Sequence, residues 1–112
     1  MRIDDVLAQV REAQPGEYTD ERVRDWIETV NQRILRELAD GYILPEMGGE
    51  LVAPAPYDQL YLWWVMAQIA LTQENIASYN NFIAMFNALW DEYGRMISRT
   101  YERETKYYYA LR

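Results

Sequence analysis

Residues 58–71 read DQLYLWWVMAQIAL, and no other stretch restricts the fold of this chain as much. Between positions 60 and 71 the polar side-chain groups are the Tyr61 hydroxyl, the indole N–H groups of Trp63 and Trp64, and the Gln68 amide. A bilayer span takes about 20 apolar residues. This run has 12 and is bracketed by Asp58 and Gln59 on one side and by Gln73, Glu74 and Asn75 on the other. Its length excludes a membrane anchor. A helix that is apolar all round belongs in an interior, so the run predicts a central, buried helix. Tyr57, Leu60, Trp64, Ala67 and Leu71 share one face of it, while Leu62, Val65, Met66 and Ile69 spread over the others. A domain of 112 residues can hardly enclose a helix on every side. Trp63 and Trp64 project about 100° apart, so one is expected inside and the other against the neighbouring loop or another subunit.

The remaining periodicity is helical as well. Ile3, Val6, Leu7 and Val10 predict a helix over 3–13, with Asp4 and Asp5 in the first turn, where the helix dipole favours acids. QPGE stops it near Ala13. Thr19 caps the next helix, whose apolar face is Val23, Trp26, Ile27, Val30, Ile34 and Leu38. Arg22, Asp25, Glu28, Arg33 and Glu37 lie away from that face, and Gly41 fits a C-terminal cap. Residues 41–56 hold three of the five glycines and three of the four prolines and predict a long loop with, at most, an extended piece at ELVA. Such a loop is either a functional segment or a wrap across the core by Ile43, Leu44, Met47 and Leu51. Beyond the central helix, Ile76, Tyr79, Ile83, Phe86, Trp90, Tyr93 and Ile97 alternate spacings of three and four, a seven-residue seam widened by Phe82, Met85, Leu89 and Met96. Asn80 and Asn87 flank the seam and would need partners if buried. A single helix over 57–101 would be roughly 65 Å long, so a turn is expected between 72 and 75, although neither Gly nor Pro marks it.

These elements predict an all-α fold: a compact bundle of four to five helices over 1–100, with the long 41–56 loop and a C-terminal arm over 101–112. The ten tyrosines concentrate late in the chain. Tyr and Trp suit surfaces that are apolar at one end and wet at the other, whether a core rim or a protein interface. The arm places Tyr101, Tyr107, Tyr108, Tyr109, Leu111 and Arg112 as partner-binding candidates, and three adjacent tyrosines cannot share one side of a helix. The alternative is a helical extension of the last element, supported by Glu102 and Lys106 four residues apart. Trp63, Met66, Met47 and Leu51 are the candidates for a subunit interface.

The residue inventory points away from chemistry. No cysteine and no histidine is present, which removes thiol nucleophiles, thiolate metal sites, the usual general base and every Ser-His arrangement. Neither Ser78 nor Ser98 sits in a G-x-S-x-G context, and Gly48-Gly49 lacks the Lys-Ser/Thr of a phosphate loop. Pairs such as Asp4/Asp5 and Asp91/Glu92 point apart on a helix and read as solvated faces. No catalytic residue, cofactor or metal site is expected, and an enzyme is the weakest class. Net charge is −7, with one lysine and ten arginines scattered among 18 acids, so sequence-specific nucleic-acid binding is not expected. The start, MRIDDVLAQV, lacks the basic and apolar regions of a signal peptide, and a cytoplasmic protein is the default.

Several of these segments occur in a familiar order. WIETVNQRI at 26–34 is followed by a Gly/Pro-bearing loop, by YDQLYLWWVMAQIAL, by YNNFIAMFNALWDEYGRMISRTY and by a short Tyr-rich tail. From about residue 20 onward the chain resembles the small helical head–tail connector (adaptor) proteins of long-tailed bacteriophages and prophages. Tyr79-Asn80-Asn81, Phe86-Asn87, Glu92-Tyr93 and Arg99 carry the likeness best. The resemblance implies a structural virion protein in the phage neck, assembled in the host cytoplasm. Its subunits would form a ring, commonly a dodecamer, below the portal protein, extending the DNA channel and docking neck or tail completion proteins through the C-terminal segment. An acidic lining would let DNA slide without sticking. The competing reading from the residues alone is an acidic helical binding module, antitoxin-like, anti-repressor or DNA-mimicking, that blocks a basic partner.

Overall fold

The computed structural model describes residues 1–42 and 50–101 of the chain. Among these it is an all-α bundle of four helices without a strand: α1 (Ile3–Ala13), α2 (Asp20–Arg33), α3 (Gln59–Thr72) and α4 (Ile76–Thr100). The helix starts follow local chemistry. The Arg2 backbone N–H donates to the Asp5 carboxylate (2.8 Å) at the start of α1. The Thr19 hydroxyl accepts from the Arg22 N–H (3.1 Å) at α2, and the Asn75 amide oxygen accepts from the Ser78 N–H (3.2 Å) at α4. Each bond satisfies one of the donors that a helix start leaves without an internal partner. The turn between α1 and α2 is held by Arg11, whose guanidinium donates to Asp20 (2.6 Å) and to the Tyr18 carbonyl (3.0 Å) and lies 4.5 Å from the Tyr18 ring centroid.

α3 is the central helix, as its composition predicts. Among the described residues it packs against all three of the others, and Leu60, Tyr61, Leu62, Val65, Ala67, Ile69 and Ala70 are buried around its circumference. A helix surrounded in this way has no use for a polar face. The core beside it is built from Val6, Leu7 and Val10 of α1, Val23, Ile27 and Val30 of α2, and Phe86, Tyr93 and Ile97 of α4. The expected turn lies between Thr72 and Ile76, and Glu74 takes the left-handed conformation there (φ 57°) that Gly or Asn adopts most easily.

Two expectations need correction. The second helix does not run unbroken to Gly41. It passes at Ile34–Leu38 into a π-helical turn, closed by the Ala39 N–H on the Ile34 carbonyl (2.8 Å), and Gly41 (φ 84°) then turns the chain away. The wider turn accompanies close packing on α4: a β-carbon at Gly94 would come within 3.2 Å of the Leu38 side chain, so the glycine allows the approach. The seam of α4 is core only in its second half. Ile76 is 55 % exposed, and Tyr79 and Ile83 are half-buried. The 25 residues of α4 span about 37 Å, more than either of the two shorter dimensions of the 53 × 26 × 20 Å molecule. Asn80 and Asn87, which flank the seam, are exposed.

The described end of the long loop is a strap laid on the core. Leu51, Val52 and Ala53 are buried although they form no helix or strand. Their backbone groups need partners, which side chains supply. The Asn31 amide nitrogen donates to the Glu50 carbonyl (2.9 Å), and its oxygen accepts from the Val52 N–H (3.0 Å) and from the Tyr61 hydroxyl. The same hydroxyl accepts from the Ala53 N–H (3.0 Å). Burial pushes the Tyr61 pKa up to about 12 and keeps this hydroxyl a donor. At the far end of the strap the buried Asp58 carboxylate lies 3.4 Å from the Met1 amino group.

Candidate interaction surface

The two tryptophans of α3 divide the structure's aromatic residues into an inner and an outer set. Trp64 turns toward α2 and α4. Its ring is 5.2 Å from Phe86, which stacks on Trp90 at 5.4 Å. The Arg33 guanidinium lies over all three rings, 4.7 Å from Trp90, 5.6 Å from Trp64 and 5.7 Å from Phe86. Glu37 holds it in place at 3.0 Å, and that hydrogen bond lowers the Glu37 pKa. Arg33 therefore does not lie away from the apolar face, as helical spacing suggests. Its long side chain reaches back over the aromatic rings, whose negative π-faces attract the cation. The Trp64 indole N–H is buried and has no hydrogen-bond partner among the described residues.

Trp63 points the other way, about 100° around the helix, and stacks on Phe82 of α4 at 6.3 Å. Trp63, Met66, Phe82 and Leu89 are all half-exposed, and Met85 is 50 % exposed. They form an apolar flank along one side of the α3–α4 hairpin. Large aromatics and methionine without charge are the composition of a protein-interface centre. The charge distribution reinforces this. Residues 59–90 carry one charged residue, Glu74 in the turn, and the other 28 of the chain's 29 lie outside this stretch. The lack of charge would be unremarkable if the hairpin were buried, but α4 is a surface helix. Ala77, Asn80, Asn81, Ala84, Asn87 and Ala88 on its outer side are all exposed.

Elsewhere charges are present, and several arginines are paired within the chain. Arg2 meets Glu50 (3.1 Å), Arg11 meets Asp20 and Arg24 meets Asp4 (3.2 Å). An open hollow of about 260 Å³ lined by Glu17, Tyr18, Thr19, Arg22, Trp26 and Thr72 falls below the usual size of a small-molecule site. Among the described residues no three carboxylates cluster as a metal site would require, and no helix is long and apolar enough to cross a membrane.

The sequence-derived interface candidates separate accordingly. Trp63 and Met66 lie together on the hairpin flank. Leu51 does not join them: only 7 % of it is exposed, because the strap buries it against the chain's own core. Tyr101 is half-buried at the end of α4, where its N–H donates to the Ile97 carbonyl (3.0 Å). Met47, Tyr107, Tyr108, Tyr109, Leu111 and Arg112 lie outside the described residues. Sequence reasoning did not single out Phe82, Met85 and Leu89 as surface, since seam spacing alone assigns them to a core. The signal that would have found them is the absence of charge over 59–90 in an otherwise highly charged chain.

Comparison of the chain with protein-family models, curated protein sequences and solved structures returned no match.

Proposed function

We propose that this protein is a structural assembly subunit, a head–tail connector of a long-tailed phage that forms a ring below the portal protein, extends the DNA channel and docks a neck or tail completion protein. The observation that carries the reading is the exposed, uncharged hairpin 59–90 on a chain of net charge −7. Such a surface is made for repeated protein contact and offers no chemistry. The order of motifs from residue 26 to the Tyr-rich tail supports the choice of connector among assembly proteins. The acidic body, poor in unpaired arginines, suits a channel past which DNA must slide without binding.

The test is the mass of the complex formed when purified protein is mixed with a candidate portal ring. The connector reading expects a stoichiometric complex with many copies of this chain per portal. A chain that stays unbound on every portal offered would refute it.

A further inference from the structure

Residues 51–53 lie on the core as a bound peptide lies on a receptor. Leu51, Val52 and Ala53 are buried yet belong to no helix or strand. Among the described residues their backbones bond to no other backbone group. Two side chains from different helices hold them instead. The Asn31 amide of α2 donates to the Glu50 carbonyl and accepts from the Val52 N–H, and the Tyr61 hydroxyl of α3 accepts from the Ala53 N–H. Asn31 is 6 % exposed and Tyr61 is fully buried. Their bonds engage main-chain groups, which every peptide carries, while the pockets filled by the side chains set the preference.

We propose that the strap is a displaceable internal ligand. Asn31 and Tyr61 form a docking site for a short, uncharged apolar segment of another protein, and this chain's own residues 51–53 fill it until such a segment takes their place. The site outlasts its present occupant, because Asn31 and Tyr61 are fixed by α2 and α3 and hydrogen-bond to each other. The strap's outer tie is slight: Arg2 and Glu50 are 79 % and 41 % exposed, and exposed pairs contribute little. At the other end the Asp58 N–H donates to the Pro54 carbonyl (3.1 Å), a turn that stays with α3 and serves as a hinge. A segment without helix or ladder bonds opens more readily than the helices around it. A charged segment is excluded, since it would lose its water to an apolar seat. A tethered segment competes at an effective concentration on the order of millimolar, so the closed strap admits only a tighter-binding or abundant competitor. The inference goes beyond the connector reading and does not rest on it.

The test uses the full chain and the labelled synthetic peptide ELVAPAP, copied from residues 50–56. Val52→Asp puts a charge on the strap and holds it open, with the helices checked by circular dichroism. Fluorescence anisotropy is expected to show the peptide binding this variant at least about tenfold more tightly than the unmodified chain, whose own strap competes. Adding Asn31→Ala to the variant is expected to weaken binding about tenfold, as two main-chain bonds are lost. A folded Val52→Asp chain that ignores the peptide would overturn the inference, and so would binding that Asn31→Ala leaves unchanged. Hydrogen exchange of the unmodified chain decides the matter even where Val52→Asp fails to fold. The Val52 and Ala53 amides are expected to exchange at least about tenfold faster than those of Val65 and Ile69, through local opening. Equal rates would mean that the strap leaves only when the whole bundle unfolds, which would also overturn it. No portal protein enters these measurements, so the connector reading stands or falls separately.

Discussion

Replacing Asn31 with alanine tests the strap most directly. The side chain makes three hydrogen bonds, to the Glu50 carbonyl, the Val52 N–H and the Tyr61 hydroxyl. Truncation leaves two buried donors, the Val52 N–H and the Tyr61 O–H, with no protein acceptor, while the Glu50 carbonyl sits on an exposed residue where water can replace the amide. A buried unsatisfied donor costs about 1–3 kcal/mol, so Asn31→Ala is expected to destabilise the fold by roughly 3–5 kcal/mol. That is a large fraction of the 5–15 kcal/mol typical of a whole domain. Urea unfolding followed by tryptophan fluorescence reads the loss, since Trp63, Trp64 and Trp90 all lie in or beside the aromatic cluster. Hydrogen exchange at Val52 and Ala53 should accelerate in parallel. A loss below about 1 kcal/mol with unchanged exchange would show that the strap is held by packing of Leu51 and Val52 alone, and that the polar network is incidental.

Other consequences follow from the same geometry. Because burial raises the Tyr61 pKa to about 12 in the fold against about 10 when unfolded, its contribution is complete below pH 10 and is lost as pH rises toward 12. About 2–3 kcal/mol should disappear over that window in urea titrations, and Tyr61→Phe should flatten this part of the profile. Arg33→Met keeps the aliphatic stem but removes the cation over Trp64, Phe86 and Trp90; a loss of about 1–2 kcal/mol is expected. A double-mutant cycle with Trp90→Ala should assign most of that loss to the pair. Glu74→Gly relieves the left-handed backbone at the α3–α4 turn and should raise stability by up to about 1 kcal/mol, whereas Glu74→Val should lower it, both measured by thermal unfolding. A chain ending at Tyr101, which completes the last backbone bond of α4, should unfold at an unchanged temperature and, on the proposed connector reading, fail to dock a neck or tail protein. An equally docked truncation would contradict the arm's assigned role.

Much of the fold is legible along the chain because helices are local. The start at Thr19, the stop after Ala13, and the stripes of α1 and α2 depend on neighbours within a few residues. The central place of α3 is legible too, since a helix without a polar face has only one stable environment. Asn31 shows the limit of such reading. It stands between Ile27 and Ile34 at stripe spacing, a polar residue on an apolar face, yet its partners lie 19 to 30 positions away. Arg33 shows the same limit, because spacing places its α-carbon but not the end of a long side chain that bends back over three rings.

By itself the sequence determined the all-α class, the order of the helices, an apolar run at 60–71 too short to span a bilayer, and the lack of histidine and cysteine. Each of these rests on composition or on periodicity within one element. Only the tertiary structure decided which apolar residues are core and which are surface. Met85 and Tyr93 both belong to one broad apolar face of α4, yet Tyr93 is fully buried and Met85 is 50 % exposed. Whether a side chain is buried depends on what lies across from it, and that is a property of the assembled bundle.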